Sequence, residues 1–193
     1  MTAVKRLCVY CGSASGIGET YRAVARELGA RMAAAGMELV YGGGRIGLMG
    51  LLADSVLAAG GRVVGIIPGH LHDYEVGHHG VSELIVVPNM HERKRRMFER
   101  SDAFAVLPGG LGTLDETFEM ITWKQLGLHG KPVVVVDAAG YWRPFQALVE
   151  HVVAQEFARP GALQLYDIVP SVDELFAVLA AAPPAVAGET RLM

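Results

Sequence analysis

Short apolar runs recur along the chain at 7–10, 38–41, 63–67, 84–87, 103–107 and 133–136, most of them rich in valine or isoleucine. Such runs lack the alternation of polar and apolar positions that marks a half-exposed strand, so both faces of each are expected to be buried. Between them lie stretches of helical period at 21–35, 48–59, 91–100, 113–126 and 144–155, and a last helix is expected at 172–181. Strands that alternate with helices in this way predict an α/β fold, a doubly wound parallel sheet with helices on both faces. A single domain over residues 1–182 accommodates the pattern. The remaining segment, PPAVAGETRLM (183–193), has no periodicity and reads as a flexible tail.

In an open parallel sheet, ligands bind beyond the carboxyl ends of the strands. That rule selects CGSASG (11–16), GGGRIG (42–47), PGHLHDYE (68–75), PNMHERK (88–94) and PGGLGT (108–113) as the loops of interest. GGGRIG satisfies the spacing of a dinucleotide fingerprint, but the following strand ends in Ile66-Ile67-Pro68-Gly69 and lacks the acid that would hold a ribose. No phosphate-binding loop of the form GxxxxGK[ST] is present, and GSASG carries alanine where a nucleophile elbow needs its serine.

Composition narrows the function classes. A hydrophobic fraction of 51% with 19% charged residues suits a well-buried globule. The net charge of −3, from 17 basic and 20 acidic residues, provides no global field for nucleic acid. With no membrane-length apolar run and no secretory signal at the start, a cytoplasmic protein without membrane attachment is expected. Cys8 and Cys11 form a C-x-x-C, but on a strand, where positions three apart face opposite ways; buried free thiols are expected. His70, His72, His78 and His79 lack the spacing and partners of a zinc site, so no metal is expected.

The stretch PGGLGTLDE (108–116) poses a chemical contradiction: glycines that expose backbone N–H groups to an anion, followed at once by two carboxylates. With Thr113 as the N-cap, Glu116 falls at the third helical position and completes a capping box, while Asp115 complements the helix dipole. Capping leaves the glycines unexplained. A bipolar ligand satisfies both features, its phosphate on the glycine N–H groups and its sugar facing the carboxylate. A nucleoside monophosphate has that shape. Arg93, Arg96 and Arg100 share a helical stripe near the same edge of the sheet, Lys94 points elsewhere, and Arg93 is expected to be an exposed ligand-site arginine.

Taken together, CVYCGS (8–13), VYGGGRIGLMG (40–50), VVGIIPGHL (63–71), MHERK (90–94), PGGLGTLDE, TFEMITWKQLG (117–127) and KPV (131–133) closely resemble the LOG ("Lonely Guy") family of cytokinin riboside 5′-monophosphate phosphoribohydrolases, often mislabelled lysine decarboxylases. The likeness runs from about residue 6 to about residue 170. It implies a Rossmann-like domain, a homodimer, and hydrolysis of the N-glycosidic bond of an N6-modified adenosine monophosphate or AMP without cofactor. It places the catalytic pair on Arg93 and Glu116. Substrate contacts fall on Ser13, Gly43, Gly44, Glu75, Met90, Lys94, Gly109, Gly110, Leu111, Gly112, Thr113, Leu114, Asp115 and Thr122. Many members carry Glu-Glu where this chain has Asp115-Glu116. Among the four lysines (Lys5, Lys94, Lys124 and Lys131), none lies in a recognisable pyridoxal phosphate motif.

Overall fold

The computed structural model describes residues 4–72 and 77–182; Glu75 and the expected tail at 183–193 lie outside the described residues. Seven strands, β1 (Arg6–Tyr10), β2 (Glu38–Tyr41), β3 (Val63–Pro68), β4 (Glu83–Val87), β5 (Ala103–Val106), β6 (Val133–Val136) and β7 (Asp167–Val169), form one sheet in the order β4-β3-β2-β1-β5-β6-β7. Every pairing is parallel. The helices are α1 (Glu19–Ala34), α2 (Gly47–Ala58), α3 (Gly69–His72), α4 (Met90–Arg100), α5 (Leu111–Gln125), α6 (Arg143–Ala154) and α7 (Val172–Ala181).

The unbroken apolar strands are explained by the two cores they separate. Leu7, Val9, Leu39, Tyr41, Ala103, Ala105, Val134 and Val136 pack with α1, α2 and α7 on one face. Cys8, Tyr10, Val40, Phe104, Val106, Val133 and Val135 pack with α4, α5 and α6 on the other. Cys8 and Cys11 fall in opposite cores as free, buried thiols, and burial drives both thiol pKa values up, that of Cys8 to about 12. β7 was not anticipated, because three residues, Asp-Ile-Val, form no readable run.

Two helix starts show how local chemistry sets position. Asn89 caps α4 by accepting from the Glu92 N–H at 2.9 Å. For α5 the expected capping box does not form. Gly110 is the cap, Leu111 and Gly112 already carry the helix, and Thr113 and Glu116 are interior, buried positions. Asp115 accordingly lies in the second turn, exposed.

On the first face, α1 and α2 touch at Gly29, where an added methyl would stand 2.7 Å from Ser55 Cβ and 2.9 Å from the Leu52 carbonyl. Helix propensity alone favours alanine over glycine by about 1 kcal/mol. Overpacking against backbone costs about 1–3 kcal/mol, so Gly29→Ala is expected to be a net loss, read as a lower urea midpoint. A raised midpoint would show that the two helices are not in this contact.

Candidate active site

The strand order reverses at β1: β2, β3 and β4 extend the sheet to one side of it, and β5, β6 and β7 to the other. Here the loops after β1 and β5 are joined by a hydrogen bond from Gly12 N to the Pro108 carbonyl at 3.0 Å. On the α1 side of this junction lies a cleft of about 390 Å³, lined by Gly12, Ser13, Ala14, Ile17, Gly18, Tyr21, Pro108, Gly109, Gly110 and Tyr141. On the α4–α5 side lies a buried ion pair.

That pair is Arg93 with Glu116. Nη1 of Arg93 donates to Glu116 Oε1 at 2.8 Å, and its Nε donates to the Ile66 carbonyl at 3.1 Å. The residues are only 8% and 7% exposed, so Arg93 is not the solvent-edge arginine its basic neighbours suggested. The arginine stripe does not converge on a ligand either: Arg96 pairs with Glu92, and Arg100 with Glu38 and Glu83. Gly42 makes the arrangement possible, since a methyl there would stand 2.1 Å from Nη2 of Arg93. Burial raises the Glu116 carboxyl above its ordinary pKa, against the pull of Arg93 and with the charge of Asp115 adding to the rise.

Lys94 lies between two acids, 3.3 Å from Asp115 and 3.0 Å from Glu119. Burial would lower its ammonium pKa, but the hydrogen bonds and charges of Glu119 and Asp115 outweigh burial and the net shift is upward. Glu119 had not been singled out, and its Oε2 is buried with no partner.

The two glycine-rich helix starts differ. In α2 the Leu48 N–H is taken by the Gly12 carbonyl at 2.9 Å, and Gly47 is crowded by Ser13 backbone. Gly43 and Gly44 are buried; Gly43 packs on Ile67, and Gly44 bridges Gly77. α5 instead begins with no side-chain cap, so the N–H groups of Leu111, Gly112 and Thr113 have no partner within the helix. Ser13, Gly109 and Gly110 border the cleft, Leu111 is 85% exposed, Gly112 is exposed, and Thr113 packs against Gly109. Met90 opens α4 half-buried, and Leu114 packs against the second core. Thr122, exposed and roughly 9 Å further along α5 than Glu116, is not gathered with the others. Among the described residues no group of three or more His, Cys, Asp or Glu comes together to hold a metal; His78 pairs with Asp54 at 2.8 Å.

A family model described as "Possible lysine decarboxylase" matches residues 49–179. The Arabidopsis thaliana cytokinin riboside 5′-monophosphate phosphoribohydrolase LOG1 is 43% identical over 171 residues, which are 89% of this chain and 80% of the relative. Its LOG5 counterpart is 43% identical over 180 residues, 93% and 79% of the two chains. The probable phosphoribohydrolase LOGL9 of Oryza sativa subsp. japonica is 46% identical over 171 residues, 89% and 75%. The chain belongs to the LOG family. Solved structures give the same fold: the molybdenum cofactor carrier protein of Chlamydomonas reinhardtii has a TM-score of 0.67 at 21% identity, covering 90% of this chain and 94% of that one. The molybdenum cofactor binding protein of Rippkaea orientalis gives 0.68 at 22%, with the same coverage.

The decarboxylase description implies pyridoxal phosphate, and neither Lys94 nor Lys131 of this LOG-family chain fits it. Lys94 is held by two carboxylates. Lys131 precedes β6, at the opposite edge of the sheet from the cleft, with its Nζ 3.8 Å from the centre of the Phe98 ring and its pKa lowered by burial to about 8.

Because the Glu116 pKa is raised in the folded state, its stabilising contribution is complete below the unfolded-state value near 4.5 and is lost as pH rises through the folded value. Glutamine keeps an oxygen that can accept from Arg93 Nη1, so Glu116→Gln is expected to destabilise the fold less than Arg93→Ala at neutral pH, with the margin narrowing below about pH 4.5, where the carboxyl is protonated in both states. Arg93→Ala strands the carboxylate and is expected to lose about 3–5 kcal/mol. Chemical denaturation that ranked the two variants the other way would refute this electrostatic assignment.

Proposed function

We propose that the chain hydrolyses the N-glycosidic bond of N6-modified adenosine 5′-monophosphates, releasing the free base and ribose 5-phosphate. The observation that carries this reading is the buried Arg93–Glu116 pair beside the uncapped start of α5, in a member of the LOG family. The N–H groups of that first turn take the phosphate, favoured by the positive end of the helix dipole. The ribose then faces Glu116. As the bond between the anomeric carbon and the base nitrogen breaks, its electron pair leaves with the base, and positive charge spreads over the sugar carbon and ring oxygen. The Glu116 carboxylate stabilises that charge and takes a proton from the attacking water; the departing base gains a proton. Arg93 fixes the carboxylate and the substrate. The raised carboxyl pKa suits a group that exchanges a proton. The apolar walls of the cleft, Ile17, Tyr21 and Tyr141, support a ligand with an aromatic or aliphatic part.

Phosphate recognition and catalysis are separable by one assay of released base. The riboside monophosphate is expected to be cleaved far better than the riboside, and Glu116→Gln to lose roughly 10²-fold or more in turnover. Equal cleavage of monophosphate and riboside would sink the phosphate assignment. Near wild-type turnover by Glu116→Gln would sink the catalytic one. Comparison of AMP with isopentenyladenosine monophosphate separates cytokinin release from general AMP hydrolysis.

We also read the protein as a cytoplasmic homodimer. The apolar residues along α5 are used within the chain: Met120 and Ile121 are buried, Phe118 packs on Phe145 and Trp123 on Phe98. Support comes instead from Leu111 and Leu126, 85% and 66% exposed at the two ends of α5. Light scattering is expected to report twice the chain mass at micromolar concentration; a monomer would overturn the assembly.

A further inference from the structure

The turn after β6 is held in a conformation that its sequence does not favour. Ala139 lies at φ 54°, in the left-handed region, and Gly140 follows at φ 76°. Such a conformation persists only where the surroundings fix it. Here Ala138 and Trp142 are buried, and Asp137 Oδ1 accepts from the Trp142 N–H at 2.6 Å.

The turn delivers Tyr141 to the rim of the cleft. Its ring meets Tyr21 edge-on at 5.5 Å and Trp142 at 4.9 Å. Its hydroxyl donates to the carbonyl of Gly109 at 2.7 Å, a bond between residues 32 positions apart in the sequence. A trans peptide carries its C=O and the following N–H on opposite sides. Holding the Gly109 oxygen toward Tyr141 therefore aims the Gly110 N–H the other way, and the N–H groups of the first turn of α5 follow. Pro108 and Gly110 are held by bonds from Gly12 N and Leu114 N, and the Tyr141 bond acts on the peptide between them, where two adjacent glycines have wide backbone freedom.

We propose that Tyr141 is a positioning residue for anion recognition: its hydroxyl locks the Gly109–Gly110 peptide so that the loop N–H groups converge on the substrate phosphate. The inference rests on the reading that this loop takes a phosphate. It assigns a role to a residue outside every glycine and charge motif of the sequence.

Tyr141→Phe tests it, because phenylalanine keeps the ring contacts and removes only the donor. KM for the riboside monophosphate is expected to rise about 3- to 10-fold, the effect of one neutral hydrogen bond, with kcat changing less. The preference for monophosphate over riboside contracts by the same factor, and so does the affinity for inorganic phosphate as a competitive inhibitor. The thermal melt moves by no more than about 2–4 °C. A purely structural role would shift the melt or slow both substrates alike without changing their ratio, and that result overturns the proposal. So does an unchanged inhibition constant for phosphate. A wild-type protein with no preference for the monophosphate removes the phosphate reading and this proposal with it, whereas a preference that is undiminished in Tyr141→Phe removes this proposal alone.

Discussion

A charge buried in protein must find its counter-charge or lose its ionisation, and the Arg93–Glu116 pair is where this chain meets that constraint. The guanidinium is satisfied by one carboxylate oxygen and one strand carbonyl, and it lies against a position that has no side chain. Each partner comes from a different element: α4 supplies the arginine, α5 the glutamate, β3 the carbonyl and the β2 loop the glycine. The relative placement of four elements is thereby tied to one planar group. Burial keeps the carboxylate away from bulk water, where its field on a nearby cation would be screened.

The charged groups of the molecule divide between the two edges of the sheet. Around the amino ends of the strands, Arg6 pairs with Asp102, and Arg62 and Arg100 both pair with Glu38 and Glu83. These contacts are wholly or partly exposed and contribute little individually. At the carboxyl edge, Lys94 is shared by two acids while the first turn of α5 offers backbone donors that carry no mobile charge. The anion-attracting element at that edge is therefore the backbone rather than the basic cluster of α4, in which Arg95 and Arg96 are neutralised by their own helix and Arg93, Lys94 and Arg100 by carboxylates of other elements.

How much of this the sequence discloses follows from the range of the interactions. The six longer strands and the main helices were legible because burial on both faces writes continuous apolar runs, and one-sided burial writes a helical period. β7 was not, because three residues are too few to carry a pattern. The start of α5 was misplaced by three residues because T-x-x-E looks the same at a cap and inside a helix; only the conformation of Leu111 and Gly112 decides. Arg93 was read as exposed because its neighbours in sequence are basic, whereas its burial is set by Gly42, Ile66 and Glu116, all more than 20 residues away in the chain. Tyr141 had no local signal at all, since its role depends on a carbonyl 32 residues earlier. Resemblance to a known family singled out Arg93 and Glu116 together, which the structure brings into one ion pair, where spacing could only suggest a cap.

The strand order carries a consequence for how the molecule becomes active. After β4, at one edge of the sheet, the chain crosses β3, β2 and β1 through α4 before laying down β5 at the centre. Arg93 lies on the crossing helix and Glu116 on the helix after β5, so they can meet only after the two halves of the sheet have closed on one another. Non-local closures of this kind are slow steps in folding. A half-assembled chain could present its first glycine loop and much of its first core, yet it would hold no counter-charge for its glutamate. The buried ion pair is thus a product of the completed fold, and no local segment of the chain can form it in advance.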